Sequence, residues 1–178
     1  PRGTTPVEAF YLPLFENWPT PIEPHFNGDY WADRALNAEY RARFVAASRK
    51  IAEHVHERGW TGTLFQFYLN GKNEYKRNGW SRSTSPWTLD EPANFQDFFA
   101  LRWFGEAFHE GINQARGPAR LGFRVDISRP QWQRETLDEL VDFNVVSGEL
   151  RRYPRIVFER ARRNGEWLME YGGANAVD

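Results

Sequence analysis

Apolar and polar positions along the chain switch repeatedly between two periods. Short runs that alternate every second residue, or are apolar almost throughout, stand at 8–18 (EAFYLPLFENW), 62–71 (GTLFQFYLNG), 86–92 (PWTLDEP), 119–128 (ARLGFRVDIS), 141–148 (VDFNVVSG) and 166–173 (EWLMEYGG). Each reads as a β-strand. Between them lie segments of helical character. The first runs over about 33–58, with Asp33 as N-cap and Gly59 as its stop. A second runs over about 94–115, opened by Ala93 or Asn94 and closed by Gly117-Pro118, and a short third carries Pro130 in its first turn. The last is an arginine-rich stretch at 149–164, read as a solvated face with ion pairs. Strands alternating with helices mark βαβ units. No fixed-period repeat, low-complexity tract or linker divides the chain, so residues 1–178 read as a single domain.

The strand faces choose between an open doubly wound α/β sheet and a (β/α)8 TIM-type barrel. Parallel strands covered by helices on both sides are apolar throughout. Here Phe65, Phe67 and Leu69 oppose Gln66, Tyr68 and Asn70, and Phe123, Val125 and Ile127 oppose Arg124, Asp126 and Ser128. In the same way Phe143 and Val145 oppose Asp142 and Asn144. One greasy face for a helix layer and one polar face for a lumen favour the barrel. A complete barrel takes roughly 250 residues, so about six of eight strands are expected in this chain. The sequence opens without a methionine or a charged-then-apolar leader pattern, which fits a piece of a longer protein.

Composition narrows the chemistry. The net charge of −1 offers no basic field for nucleic acid or an anionic membrane, and no apolar run is long enough for a membrane span. With 0 cysteines there is no thiolate nucleophile and no Cys-ligated zinc, although the compartment stays open. The 8 tryptophans supply flat ring surface, most of it for ordinary packing and some for stacking on sugars.

In a barrel, function gathers where strands end. Those ends carry Glu16, Asn17 and Trp18; Tyr68, Asn70 and Lys72; Asp90 and Glu91; Asp126 and Ser128; Asn144 and Ser147; and Glu170 and Tyr171. This acidic, amide-rich and aromatic rim suits a neutral, hydroxyl-rich ligand. Adjacent side chains on a strand point to opposite faces, so Asp90 and Glu91 share a pocket only where the strand breaks. Pro92 supplies the break and is expected to keep Glu91 extended. Burial and a neighbouring negative charge favour the protonated form of one carboxyl, as a general acid requires. The competing reading is that the pair caps the helix that follows. His54, His56 and His109 read as helix-surface residues and His25 as a loop residue. No histidine ends a strand in the pattern of a His-carboxylate metal site, and no glycine-rich phosphate cradle is present.

The ordered set YLPLFENWPTP, FYLNGK, WTLDEP, RVDIS and EWLMEYGG resembles the catalytic barrel of glycoside hydrolase family 123. It also resembles a related bacterial glycoside hydrolase-like group whose barrels share a strand-end Asp-Glu-Pro. The resemblance implies cleavage of a β-linked N-acetylhexosaminide, of N-acetylgalactosamine type, by substrate-assisted retaining catalysis without a cofactor or metal. It implies Glu91 as general acid/base and Asp90 as the residue that orients the 2-acetamido group. Around them Trp18, Tyr68, Asn70, Lys72, Asp126, Asn144 and Tyr171 become substrate-binding candidates, with Trp80 and Trp132 as further stacking surfaces. The expected partners are a carbohydrate and the rest of the parent chain, with its missing barrel strands and flanking β-sandwich domains. Two other classes remain open: a non-catalytic carbohydrate-binding barrel, and a metal-dependent barrel isomerase or hydrolase that uses Glu16, Asp126 and Glu170 as hard ligands.

Overall fold

A computed structural model describes residues 7–15, 17–29, 31–71, 73–74, 84–147 and 152–171. Five strands form one all-parallel sheet: β1 (Ala9–Leu14), β2 (Leu64–Leu69), β5 (Leu121–Asp126), β6 (Phe143–Ser147) and β7 (Trp167–Tyr171). They lie side by side in chain order. A small parallel pair, β3 (Asn73–Glu74) with β4 (Thr84–Ser85), stands apart from them. The helices are α1 (Ala32–Ala35), α2 (Ala38–Glu57), α3 (Phe95–Asn113), α4 (Pro130–Gln133) and α5 (Pro154–Asn164). None of the described helices is long and apolar enough to cross a membrane.

Strand residues with a period of two send Phe67, Leu69, Phe123, Val125 and Ile127 into one buried core with Tyr40 and Phe44 of α2 and Phe98, Leu101, Phe104 and Phe108 of α3. The core is aromatic: the rings of Phe67 and Phe108 lie 4.7 Å apart, and those of Phe44 and Phe104 5.2 Å apart. Helices α2 and α3 approach closely at Gly111, where a Cβ would come 2.5 Å from the Val45 carbonyl oxygen. The opposite face carries Gln66, Tyr68, Arg124 and Asp126. Gln66 on β2 reaches Met169 on β7, with Nε2 3.8 Å from Sδ, although two strands lie between them. Three strand spacings measure about 14 Å in a flat sheet, so the sheet curls around this face.

Three sequence expectations change. The segment 86–92 is not a sheet strand, because its backbone is committed elsewhere. The Thr88 N–H goes to the Asp97 carboxylate (2.9 Å), those of Leu89 and Asp90 both go to the Gly71 carbonyl (3.0 and 3.2 Å), and that of Glu91 goes to the Asp126 carbonyl (3.1 Å). Its alternating Trp87 and Leu89 are buried as anchors of a loop, with Trp87 edge-on to Phe26 and Phe104. The long first helix is two. Asn37, not Asp33, caps α2 by accepting from the Tyr40 N–H at 3.0 Å, after Leu36 leaves to bridge Phe26. Finally, the polar alternation on β6 is reversed. Register aligns Val125 with Asn144 and Asp126 with Val145, so Asn144 faces the helices and Val145 the polar side.

Candidate functional site

The acid pair lies in the connection from β2 to α3, at the carboxyl ends of β2 and β5. Gly71, two residues past β2, receives Leu89 and Asp90, while Asp126, the last residue of β5, receives Glu91. Helix capping is done by other residues. Asn94 Oδ1 accepts from the N–H groups of Gln96 (2.9 Å) and Asp97 (3.2 Å), and Asp97 Oδ2 accepts in return from Asn94 (3.0 Å) and Ala93 (2.9 Å). This reciprocal box satisfies the start of α3, and Asp97 also ties down Thr88. The reading of Asp90-Glu91 as the helix cap therefore loses its basis.

Glu91 adopts φ +60°, not the extended backbone that a following proline ordinarily imposes. A bulky residue held in the left-handed region costs about 1–3 kcal/mol, and such strain collects at functional sites. Here the Glu91 N–H is held by Asp126 while the side chain stays half-buried.

Asp90 is buried and accepts a hydrogen bond from the Tyr68 hydroxyl. Burial, the charge of Asp126 and the bond and charge of Asp90 push Tyr68 well above the ordinary tyrosine range, with Arg124 partly offsetting them. Tyr68 is therefore a neutral donor at any working pH. Arg124, in register with Tyr68 on the neighbouring strand, grips both oxygens of Asp126 (Nε–Oδ1 2.8 Å, Nη2–Oδ2 2.9 Å) and donates to Gln66 Oε1 at 3.2 Å. Its guanidinium lies 4.5 Å from the Tyr68 ring centre and 5.6 Å from that of Tyr11. Burial works against the charge of Arg124, but the bonds and charge of Asp126, with Tyr68 and Asp90, outweigh it and raise its pKa.

A consequence follows for alkaline stability. Above about pH 10 the unfolded chain releases the Tyr68 proton and the folded chain keeps it, so this group's contribution to stability falls as pH rises past that point. In an ultraviolet titration Tyr68→Phe should remove no tyrosinate signal before unfolding; loss of one tyrosine's signal from the folded range would contradict this.

The structure brings Tyr68, Asp90, Glu91 and Asp126 together. Asn70 follows directly after β2, and its Oδ1 is buried without a hydrogen-bond partner among the described residues. Trp132 is exposed on α4, just after β5, with the Arg129 guanidinium 5.3 Å from its ring centre. Two candidates lie elsewhere. Trp18 packs on the helix side, 6.1 Å from Phe67 and 6.3 Å from Phe44, at the wall of an apolar groove of about 520 Å³. Asn144 is fully buried and donates to Glu166 (3.2 Å), which pairs with Arg160 (2.7 Å). Its role is to join β6 to α5. Lys72, Glu16 and Trp80 lie outside the described residues, and Tyr171 enters only through its strand pairing with Ser147.

Three of the histidines hold structure: His25 is buried against Asn37 and Tyr40, His54 packs on Trp60, and His109 lies 3.0 Å from the Leu140 carbonyl. Among the described residues no three His, Asp or Glu side chains converge as a metal set. Glu170 pairs with Val146, one residue out of phase with Asp126 and Val145, and so faces away from Asp126. Sequence reading missed Arg124, Gln66 and Tyr11 as site residues. The signal for Arg124 was its i, i+2 spacing to Asp126, which puts both on one face of a strand.

The chain is thus an α/β protein with a curled, five-stranded, all-parallel sheet and an acidic, tyrosine-bearing cluster at the carboxyl end of its polar face. Comparison with known proteins finds no matching family model, curated protein or solved structure.

Proposed function

We propose that the chain is the catalytic part of a glycoside hydrolase that cleaves β-linked N-acetylhexosaminides with help from the substrate's own acetamido group. The sheet is read as a segment of a (β/α)8 barrel. Supporting this are chain-order parallel strands, helices packed against the apolar face, and a polar face curled far enough for Gln66 to meet Met169. Both edge strands expose large apolar residues, Phe10 and Tyr11 on β1 and Trp167 and Met169 on β7, as expected where further strands and helices of a barrel adjoin.

The observation that carries the proposal is the pair itself. Asp90 is buried on a tyrosine hydroxyl, Glu91 is adjacent in a strained backbone, and neither serves as the helix cap. Adjacent carboxylates do not fit the usual plan of two acids flanking the sugar about 5–9.5 Å apart, from which substrate-assisted enzymes depart. In the proposed reaction Glu91 gives its proton to the glycosidic oxygen as the carbon–oxygen bond breaks. The acetamido carbonyl oxygen attacks the anomeric carbon, and Asp90 accepts the acetamido N–H and stabilises the positive charge that develops there. The Glu91 carboxylate then takes a proton from water, which opens the cyclic intermediate and restores the original anomeric configuration. Tyr68, Asn70 and the exposed Trp132 are the groups assigned to hydroxyl bonding and stacking.

The test is an assay of the chain within its complete parent protein on aryl β-N-acetylgalactosaminide, aryl β-N-acetylglucosaminide and the matching β-galactoside. Cleavage confined to the acetamido sugars is expected. A plain galactoside cleaved as fast would sink the mechanism.

A further inference from the structure

We propose that Arg124 is a positioning residue that aligns both acids, holding Asp90 through the Tyr68 ring and Glu91 through Asp126; this deepens the hydrolase reading and rests on it. The guanidinium is fixed from two strands. Two parallel bonds reach both oxygens of Asp126 on its own strand, and a third reaches Gln66 on β2. That fork defines the plane of the group, and the Tyr68 ring lies against it with centroid 4.5 Å away. The far end of the same ring carries the hydroxyl that Asp90 accepts. Meanwhile the main-chain carbonyl of Asp126, whose side chain Arg124 clamps, receives the N–H of Glu91 at 3.1 Å. Both members of the pair are thus tied to one Arg124–Asp126 unit, Asp90 by way of Tyr68 and Glu91 by way of the Asp126 main chain. The placement of the acids runs through these neighbours, while the charge of Arg124 also reaches Asp90.

The role calls for a planar fork more than for charge. Lysine keeps the charge but is a point donor that neither grips a carboxylate at two oxygens nor stacks flat on a ring. Two substitutions separate these properties. In the full parent protein, Arg124→Lys and Arg124→Met should both lower kcat on the aryl acetamido sugar by roughly 10²-fold with KM little changed, as misplacement of catalytic groups does. The acidic limb of the pH–rate profile should move to higher pH in Arg124→Met, which strips a cation from the carboxylate cluster, and stay in place in Arg124→Lys. A readout independent of turnover is the Tyr68 hydroxyl proton, held on Asp90 and identified in proton NMR by its loss in Tyr68→Phe. It should be slowly exchanging in the wild type and lost in Arg124→Lys. Should either Arg124 variant fail to fold, Gln66→Ala removes the third bond that fixes the guanidinium without touching charge, and a weaker loss of kcat with a faster-exchanging Tyr68 proton is expected. Wild-type kcat together with an unchanged Tyr68 proton in the variant examined would overturn the proposal. A wild type that hydrolyses nothing would overturn the hydrolase reading alone, and the proton resonance would still decide the role of Arg124.

Discussion

Replacing Glu91 with glutamine should slow hydrolysis of an aryl β-N-acetylhexosaminide by a factor on the order of 10²–10⁴, the loss expected when a general acid is removed. Glutamine keeps the size and half-buried setting of the side chain, so folding should be unchanged. Glu91→Gly sharpens the test because the backbone there has φ +60°. Glycine relieves that conformation, and the variant should be about 1 kcal/mol more stable in urea while hydrolysing no faster than Glu91→Gln. Opposite signs for stability and activity are what a strained functional residue predicts. If both variants turn over like the wild type, Glu91 has no part in the chemistry.

The largest expected loss of stability lies away from the site. Arg160 of α5 is 4% exposed and bonds the Asp138 carboxylate, Glu166 Oε1 at 2.7 Å and the Leu137 carbonyl at 2.9 Å. Glu166 in turn holds Asn144 and Asn164 (3.2 Å each). Arg160→Leu would leave two carboxylates in this knot without their buried cation, at a cost of about 3–5 kcal/mol. Urea denaturation of the variant beside the wild type measures it. A loss below about 1 kcal/mol, typical of a surface pair, would show the knot to be solvated.

That knot also shows where reading the sequence stops. The arginine-rich run 149–164 suggests a solvated helix face. Arg155 and Arg163 fit that reading, whereas Arg160 turns inward to Glu166, just past its own helix, and to Asp138, which lies 22 residues away and which only folding brings near. The parallel α/β class was legible because βαβ alternation is a local pattern, and so were the apolar faces of β2 and β5. Strand 86–92 was misread for a physical reason: Trp87 and Leu89 have strand spacing, but Asp97 and Gly71, both outside the segment, claim its N–H groups. The face of β6 was misread because period two says that faces alternate without saying which one meets the helices; only register to β5 does. Tyr68 and Asp126 emerged as candidates because strand-end position can be read from sequence; Asp90 and Glu91 were picked as the end of a strand that does not form, and they reach the same place because their loop bonds to the Gly71 and Asp126 carbonyls past β2 and at the end of β5. Arg124 did not emerge, since its part depends on a fork and a ring meeting across two strands.

The central claim is that the sugar supplies the nucleophile while Asp90 and Glu91 guide it. The most direct measurement is kcat/KM for an aryl β-N-acetylhexosaminide series in which the acetyl group carries none, one, two and three fluorines. Each fluorine weakens the carbonyl oxygen as a nucleophile and leaves the sugar ring and leaving group unchanged. Rates that fall steeply and steadily with fluorine number are predicted; rates independent of fluorine would contradict the account.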